Sequence, residues 1–243
     1  MTTPNGIIIY RGPSLIDGSP IICVLTGVIR PSSNPKTKDE LQTYIIREDV
    51  APHIAAAAGL DFSICGNCEA KPTAKNYCYV HKWREPNSVF ECFHRGNYPL
   101  ATEHELRTIK SSGIAVRAGS YGDPAAVPLE VWRSIGVRTG YTHQWEDDRV
   151  QPFSELMMAS VETLEQKARA NKKGFRTFRV ITSEADLQAD EILCVNQSRG
   201  VDCATCGICA GQQVQAKNVG AIVHGAKKNN FLQIGKKKKA AIN

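Results

Sequence analysis

Seven of the nine cysteines in this chain fall into two groups whose spacing suits a soft metal ion. The first is Cys65-Gly-Asn-Cys68, followed after nine residues by Cys78. The second is Cys194, then eight residues, then Cys203-Ala-Thr-Cys206-Gly-Ile-Cys209. A C-x-x-C turn lets two thiolates face one centre, and thiolate softness favours zinc or iron–sulfur over magnesium or calcium. Cys203, Cys206 and Cys209 carry the first three positions of the bacterial ferredoxin spacing, and Cys194 is near enough to complete a 4Fe–4S set. The same four thiolates would close a structural zinc site. Spacing alone leaves the two open. His81, His94 and Cys92 are candidate fourth ligands for the first group, each with an ordinary surface or core role as the alternative. Cys23 sits in an apolar run and reads as a small buried hydrophobe.

A second set of candidates lies where apolar runs end. Ile114–Ala118 leads into Gly119-Ser120-Tyr121-Gly122-Asp123-Pro124, Tyr141 into His143-Gln144-Trp145, and Phe175–Phe178 into Arg179. A final run leads into His224. In parallel α/β folds such positions gather the chemistry. Asp123, His143 and His224 are the candidates for proton transfer. Ser120, Tyr121, Gln144 and Arg179 are the candidates for substrate binding, Arg179 as a bidentate anion clamp. The plainer alternative is that Asp123-Pro124 caps the next helix and that each histidine is only hydrogen-bonded. No phosphate loop, G-x-S-x-G elbow or H-E-x-x-H pair is present.

The elements that must position these groups follow from the pattern of apolar residues. Short runs at Ile7–Tyr10, Ile21–Val28 and Thr43–Arg47 predict strands separated by turn residues. Helices are expected within Val50–Leu60, Asn87–Arg95 and Glu103–Lys110. From Gly113 onward, strands at Ile114–Ala118, Gly140–Gln144, Leu156–Val161, Phe175–Ile181, Glu191–Val195 and Ala221–Val223 are expected. Helices at Val127–Val137 and Thr163–Asn171 fall between them, as parallel βαβ units require. The expected fold is a single α/β domain over residues 1–235, a partial or complete βα barrel of the TIM type, with an open doubly wound sheet as the alternative. Cysteine-rich insertions occupy 61–83 and 194–212. A basic, disordered tail is expected at 236–243. In a closed barrel the first and last strands are neighbours, which would bring the cysteine groups to one end.

The chain has 243 residues, 42% of them apolar, so its core does not depend on disulfides. No stretch approaches the roughly 20 apolar residues that span a bilayer. The first residues carry no charged leader with an apolar run, so a cytoplasmic location is expected. In a reducing compartment grouped cysteines bind metals more often than they form disulfides. The net charge of +6 is concentrated in the run Lys236–Lys239. Such a run is a solvated tail, or a weak, salt-sensitive contact to nucleic acid.

The blocks Ser63-Ile-Cys-Gly-Asn-Cys68, Cys78-Tyr-Val80, Gly119-Ser-Tyr-Gly-Asp-Pro-Ala125, Gly140-Tyr-Thr-His-Gln-Trp145, Arg176-Thr-Phe-Arg-Val180 and Cys203-x2-Cys206-x2-Cys209 resemble an uncharacterised, cysteine-rich family of bacteriophages and prophages. That resemblance implies a host-cytoplasmic location and no particular activity. A looser similarity is to radical S-adenosylmethionine enzymes, which pair a βα barrel with a three-cysteine cluster. Their C-x3-C-x2-C spacing is absent here, so adenosylmethionine is a cofactor only by analogy of fold. Two functions are expected to compete. One is an iron–sulfur enzyme acting on a small or nucleotide-like substrate. The other is a zinc-stabilised protein that binds nucleic acid or a host protein without catalysis.

Overall fold

A computed structural model describes residues 4–32, 34–225 and 227–240. Strands β1 (Gly6–Pro13), β2 (Pro20–Thr26) and β3 (Leu41–Arg47) form an antiparallel meander, in register at Ile7↔Leu25 and Cys23↔Ile45. Ile21 to Leu25 are all fully buried. A run that alternates neither in burial nor in polarity is a strand covered on both faces. Helices α1 (Pro52–Ala58) and α3 (Glu85–His94) pack against β3, and the one-turn α2 (Phe62–Cys65) lies between them in sequence.

Helix α4 (Glu103–Ser112) starts where the Thr102 hydroxyl accepts from the Glu105 amide at 3.2 Å and the Glu105 carboxylate accepts from the Thr102 amide at 2.7 Å. This reciprocal cap satisfies two otherwise free donors. After it the chain becomes regular: β4 (Val116–Tyr121), α5 (Leu129–Ile135), β5 (Val137–Thr142), β6 (Met158–Val161), α6 (Leu164–Lys172) and β7 (Thr177–Ile181). Beyond β7 come β8 (Glu191–Leu193), α7 (Val195–Arg199), α8 (Cys203–Cys206), β9 (Asn218–Ile222) and α9 (Lys228–Ala240).

The nine strands among the described residues form one sheet in the order β1-β2-β3-β4-β5-β6-β7-β9-β8. Every pairing from β3 onward is parallel. Each step from β3 to β7 adds the next strand on the same side, the arrangement that right-handed crossovers give when their helices stay on one face. The other face of β5 and β7 carries Tyr141 and Phe178, whose rings meet with centroids 4.4 Å apart although β6 separates their strands.

The α/β class is as expected, and the strands expected in the first part of the chain form an antiparallel meander. The sheet is open among the described residues, with β1 and β8 at opposite edges, so no complete barrel closes and the terminal strands are not neighbours. The outer side of β1 is instead met by residues 99–101, where Ile8 donates to the Pro99 carbonyl and accepts from the Ala101 amide, both at 2.8 Å. Lys236–Lys239 continue helix α9, and 241–243 lie outside the described residues. Among the described residues no helix is long and apolar enough to cross a membrane.

Candidate metal centres

The first cysteine group sits over the carboxyl ends of β4 and β5. Three consecutive residues at the end of β5 bond to one carboxylate there, and the last of them, Gln144, reaches the turn. Asp123 accepts from the Thr142 hydroxyl (2.7 Å), the His143 amide (2.7 Å) and the Ala125 amide (3.0 Å). The Gln144 amide nitrogen reaches Asp123 at 3.3 Å and donates to the Cys65 carbonyl at 3.1 Å. The Gln144 oxygen accepts from the Asn67 amide at 3.1 Å. Asp123 is buried and caps the turn that follows it, as the helix-capping alternative has it. Gln144 braces the Cys-Gly-Asn-Cys turn.

That turn depends on Gly66, which has a φ of +49° and whose Cβ, if it had one, would overlap the Gln144 side chain. Burial pushes the Cys65 thiol well above its ordinary value, and nearby Cys68, Asp61, Cys78 and Asp123 add to the shift. Burial favours neutral His143, but Cys68 and Asp123 outweigh it and raise the imidazole well above its ordinary value. Its Nδ1 lies 3.7 Å from an Asp123 oxygen. Two buried polar atoms in this neighbourhood, Asp61 Oδ1 and Tyr121 Oη, have no hydrogen-bond partner.

The second group is built differently. Cys194, Cys203, Cys206 and Cys209 line one recess with Lys36, Thr139, Tyr141 and Phe178. It lies on the sheet face that carries the Tyr141 and Phe178 rings. Asp202 caps α8 by accepting from the Thr205 amide at 2.9 Å, and its carboxylate pairs with Lys38 at 2.9 Å. The Cys203 amide donates to the Lys36 carbonyl at 2.8 Å, and the Cys209 carbonyl accepts from the Gly140 amide at 3.3 Å. Arg176 ties the far end of the loop by donating to the carbonyls of Ile208 (2.8 Å) and Gly211 (2.9 Å). Burial pushes the Cys209 thiol up to about 12, with the three other cysteines adding to it and Tyr141 opposing it.

Arg117 connects the two regions. Its Nη2 donates to Tyr79 Oη at 3.3 Å, one residue beyond Cys78, and its guanidinium lies 5.9 Å from the Tyr141 ring centroid. No carboxylate lies within ion-pair distance of it among the described residues. Burial opposes its charge, while Tyr79, Tyr141, Glu40 and Cys203 hold it above its ordinary value.

The remaining candidates separate. Arg179 is removed from the site: it pairs with buried Glu191 through bonds of 2.8 and 2.5 Å. The reason is strand parity, since Phe178 faces the recess and its neighbour must face the α6 side, where Lys167 also reaches Glu191 at 3.8 Å. Ser120 donates to Gln42 Oε1 at 2.6 Å. His224 is exposed and lies 3.3 Å from Gln197 of α7, grouped with neither His143 nor Asp123. His94 contacts the Glu48 carbonyl, Cys92 contacts Arg95, and the His81 ring meets that of Trp83 edge-on. Cys23 is fully buried in β2.

Sequence reasoning missed Arg117 and the recess side of Tyr141. The available signal was a lone arginine inside the apolar run Ile114–Ala118. Among the described residues no three His, Cys, Asp or Glu side chains converge closely enough to hold a metal ion. Comparison with family models, with curated proteins and with solved structures returned no match.

Proposed function

We propose that the protein is an iron–sulfur protein that acts on a small, anionic, nucleotide-like substrate at the carboxyl end of a partial βα barrel. The observation that supports this reading is the single recess that Cys194, Cys203, Cys206 and Cys209 line together. Four thiolates are the ligand set of a 4Fe–4S cluster, one at each iron. These four residues would hold it, and it would supply one-electron chemistry when bound. Cys65, Cys68 and Cys78 would form a second centre. Arg117, which makes no ion pair among the described residues and lies between the two groups, supports an anionic substrate. Tyr141 and Phe178 offer aromatic faces beside it.

The test is anaerobic purification followed by an absorbance spectrum and analysis for iron, sulfide and zinc. Brown protein with iron and sulfide in equal amounts is the expected outcome. Colourless protein with zinc would overturn it. Adenosylmethionine binding is then measured by calorimetry as one candidate anionic ligand.

A second reading, a nucleic-acid binder, draws on the exposed aromatic–cation pairs Trp83–Arg84 and Phe62–Lys71 near the first cysteine group. Such pairs are the stacking platforms that bind single strands. Salt-dependent binding of a single-stranded oligonucleotide, lost on Trp83→Ala, would favour it.

A further inference from the structure

The residues that leave the first cysteine loop turn their rings to solvent. Tyr79, His81 and Trp83 are exposed, while Val80 packs against the core and Lys82 is buried. Burial that alternates residue by residue is the mark of an extended chain lying on a surface, so the three rings stand on one side. Tyr79 is 58% and Trp83 61% exposed, and the His81 and Trp83 rings meet with centroids 5.9 Å apart. Large aromatic rings left in water together mark a binding surface.

Each end of this row carries a cation. The Arg84 guanidinium lies 4.8 Å from the Trp83 ring centroid, and Arg117 donates to Tyr79 Oη at 3.3 Å. We propose that the bases of a single-stranded nucleic acid stack along Tyr79, His81 and Trp83, and that the nucleotide bound at Arg117 belongs to that strand. This rests on reading Arg117 as the anchor of an anionic, nucleotide-like substrate, and it names that substrate as a polymer.

The charge of the adjoining elements fits such a partner. Helix α9 docks beside the row: the Phe231 ring meets Tyr77 edge-on at 5.2 Å, and the Asn230 side chain donates to the Asn76 carbonyl at 2.8 Å. A Cβ on Gly225, just before α9, would stand 3.5 Å from that of Tyr79. After Asp202 the chain has seven lysines and no acidic residue, and six of the seven fall between 227 and 239. Within 62–84 the one acidic residue, Glu69, is paired with Lys75. Aromatic faces for the bases, with cations alongside for the phosphates, are the parts from which single-strand sites are built. A duplex keeps its base faces stacked inside, and a free nucleotide offers one face to a row of three.

The probe is an oligothymidylate of about ten nucleotides, titrated against the full-length protein by fluorescence anisotropy. A duplex of the same length and thymidine monophosphate are the comparisons. Trp83 gives a second readout, because Trp132 and Trp145 are buried and a base stacked on Trp83 quenches its emission. The strand should bind more tightly than either comparison and quench the tryptophan signal. Trp83→Ala should weaken strand binding about tenfold and abolish the quenching, and Trp83→Phe, which keeps a ring, should restore most of the affinity. Replacing Lys236–Lys239 with glutamine should flatten the dependence of affinity on salt, by about 0.7 in the log–log slope for each lysine that meets a phosphate. Duplex bound as tightly as the strand, or strand binding that survives Trp83→Ala, overturns the proposal, and an unchanged slope removes α9 from it. Thymidine monophosphate bound as tightly as the strand overturns it while leaving the anionic-substrate reading intact. No binding of any probe overturns both, and iron and sulfide content still decides the cluster separately.

Discussion

The two cysteine groups solve the same problem with different parts of the fold. The first is held from beneath by side chains: the Gln144 amide at the end of β5 grips the turn through two hydrogen bonds, and the Asp123 carboxylate after β4 fixes the end of β5 through three more. The second is held mainly by backbone, with Cys194 beside β9, Cys203 against the Lys36 carbonyl and Cys209 against β5. Each group places a glycine directly after one cysteine, Gly66 at φ +49° and Gly207 at φ +62°. The neighbours of those glycines differ. A side chain at Gly66 would meet Gln144, which is pinned at both ends, while one at Gly207 would meet the exposed Arg138. A side-chain scaffold localises its weakness in one residue, and a backbone scaffold spreads it along the chain.

The largest effect should come from Asp123→Ala. It strands the Thr142 hydroxyl and two buried amides, a loss on the order of 3–5 kcal/mol by denaturant unfolding. Metal should leave the first group and stay in the second. Equal metal loss from both would erase the distinction drawn above. Arg179→Ala should be comparably destabilising, about 3 kcal/mol or more, because it leaves Glu191 buried without its main partner. Metal content should be unchanged, since Arg179 faces the α6 side. Retained stability with weakened ligand binding would restore the substrate role expected from its place in the sequence.

The glycines sharpen the comparison on a smaller scale. Gly66→Ala should cost about 1–3 kcal/mol, through a left-handed backbone plus an immovable neighbour. Gly207→Ala should cost about 1 kcal/mol, the backbone part alone, because Arg138 can swing into solvent. Thermal melts of both variants give the difference directly, and equal costs would argue that Gln144 is less firmly held than its hydrogen bonds indicate.

The smallest effect at neutral pH concerns Glu191. Burial pushes its carboxyl up, but bonds from Arg179 and the Gln188 amide more than offset this and hold it below the ordinary value. A depressed carboxyl contributes stability that is present above its unfolded pKa and lost as pH falls through the lower, folded one. Acid unfolding followed by circular dichroism should therefore steepen below about pH 4.3. In that range metal loss and fold loss should separate in the comparison of the two groups, since thiols release metal on protonation whatever Glu191 does.

The regular half of the fold was legible because its signals are local. Thr102 with Glu105 marks the start of α4, and that cap is present. The apolar runs marked all nine strands to within a few residues. Sheet order was not legible in the same way. Nothing in Ile7–Tyr10 or Ile21–Val28 distinguishes a meander from a βα unit, because a strand buried on both faces loses its alternation. At the sites, the cysteines were readable from spacing, which is chemistry confined to neighbouring residues. The roles of Asp123, His143 and Arg179 were not, because each depends on which face of a strand end meets which distant loop. A one-residue change of parity separates Phe178 in the recess from Arg179 on the opposite side.

Arg117 carries a consequence for how the two centres respond to one another. One guanidinium touches Tyr79 beside Cys78 and lies over Tyr141, whose hydroxyl engages Cys209. On the function proposed above, filling either group would alter the charge that this cation sees, and so its pull on the other. Free-energy coupling of that kind is reciprocal. Loading the first group must change the affinity of the second by the same factor as the reverse order, and the factor should approach unity once Arg117 is replaced by methionine.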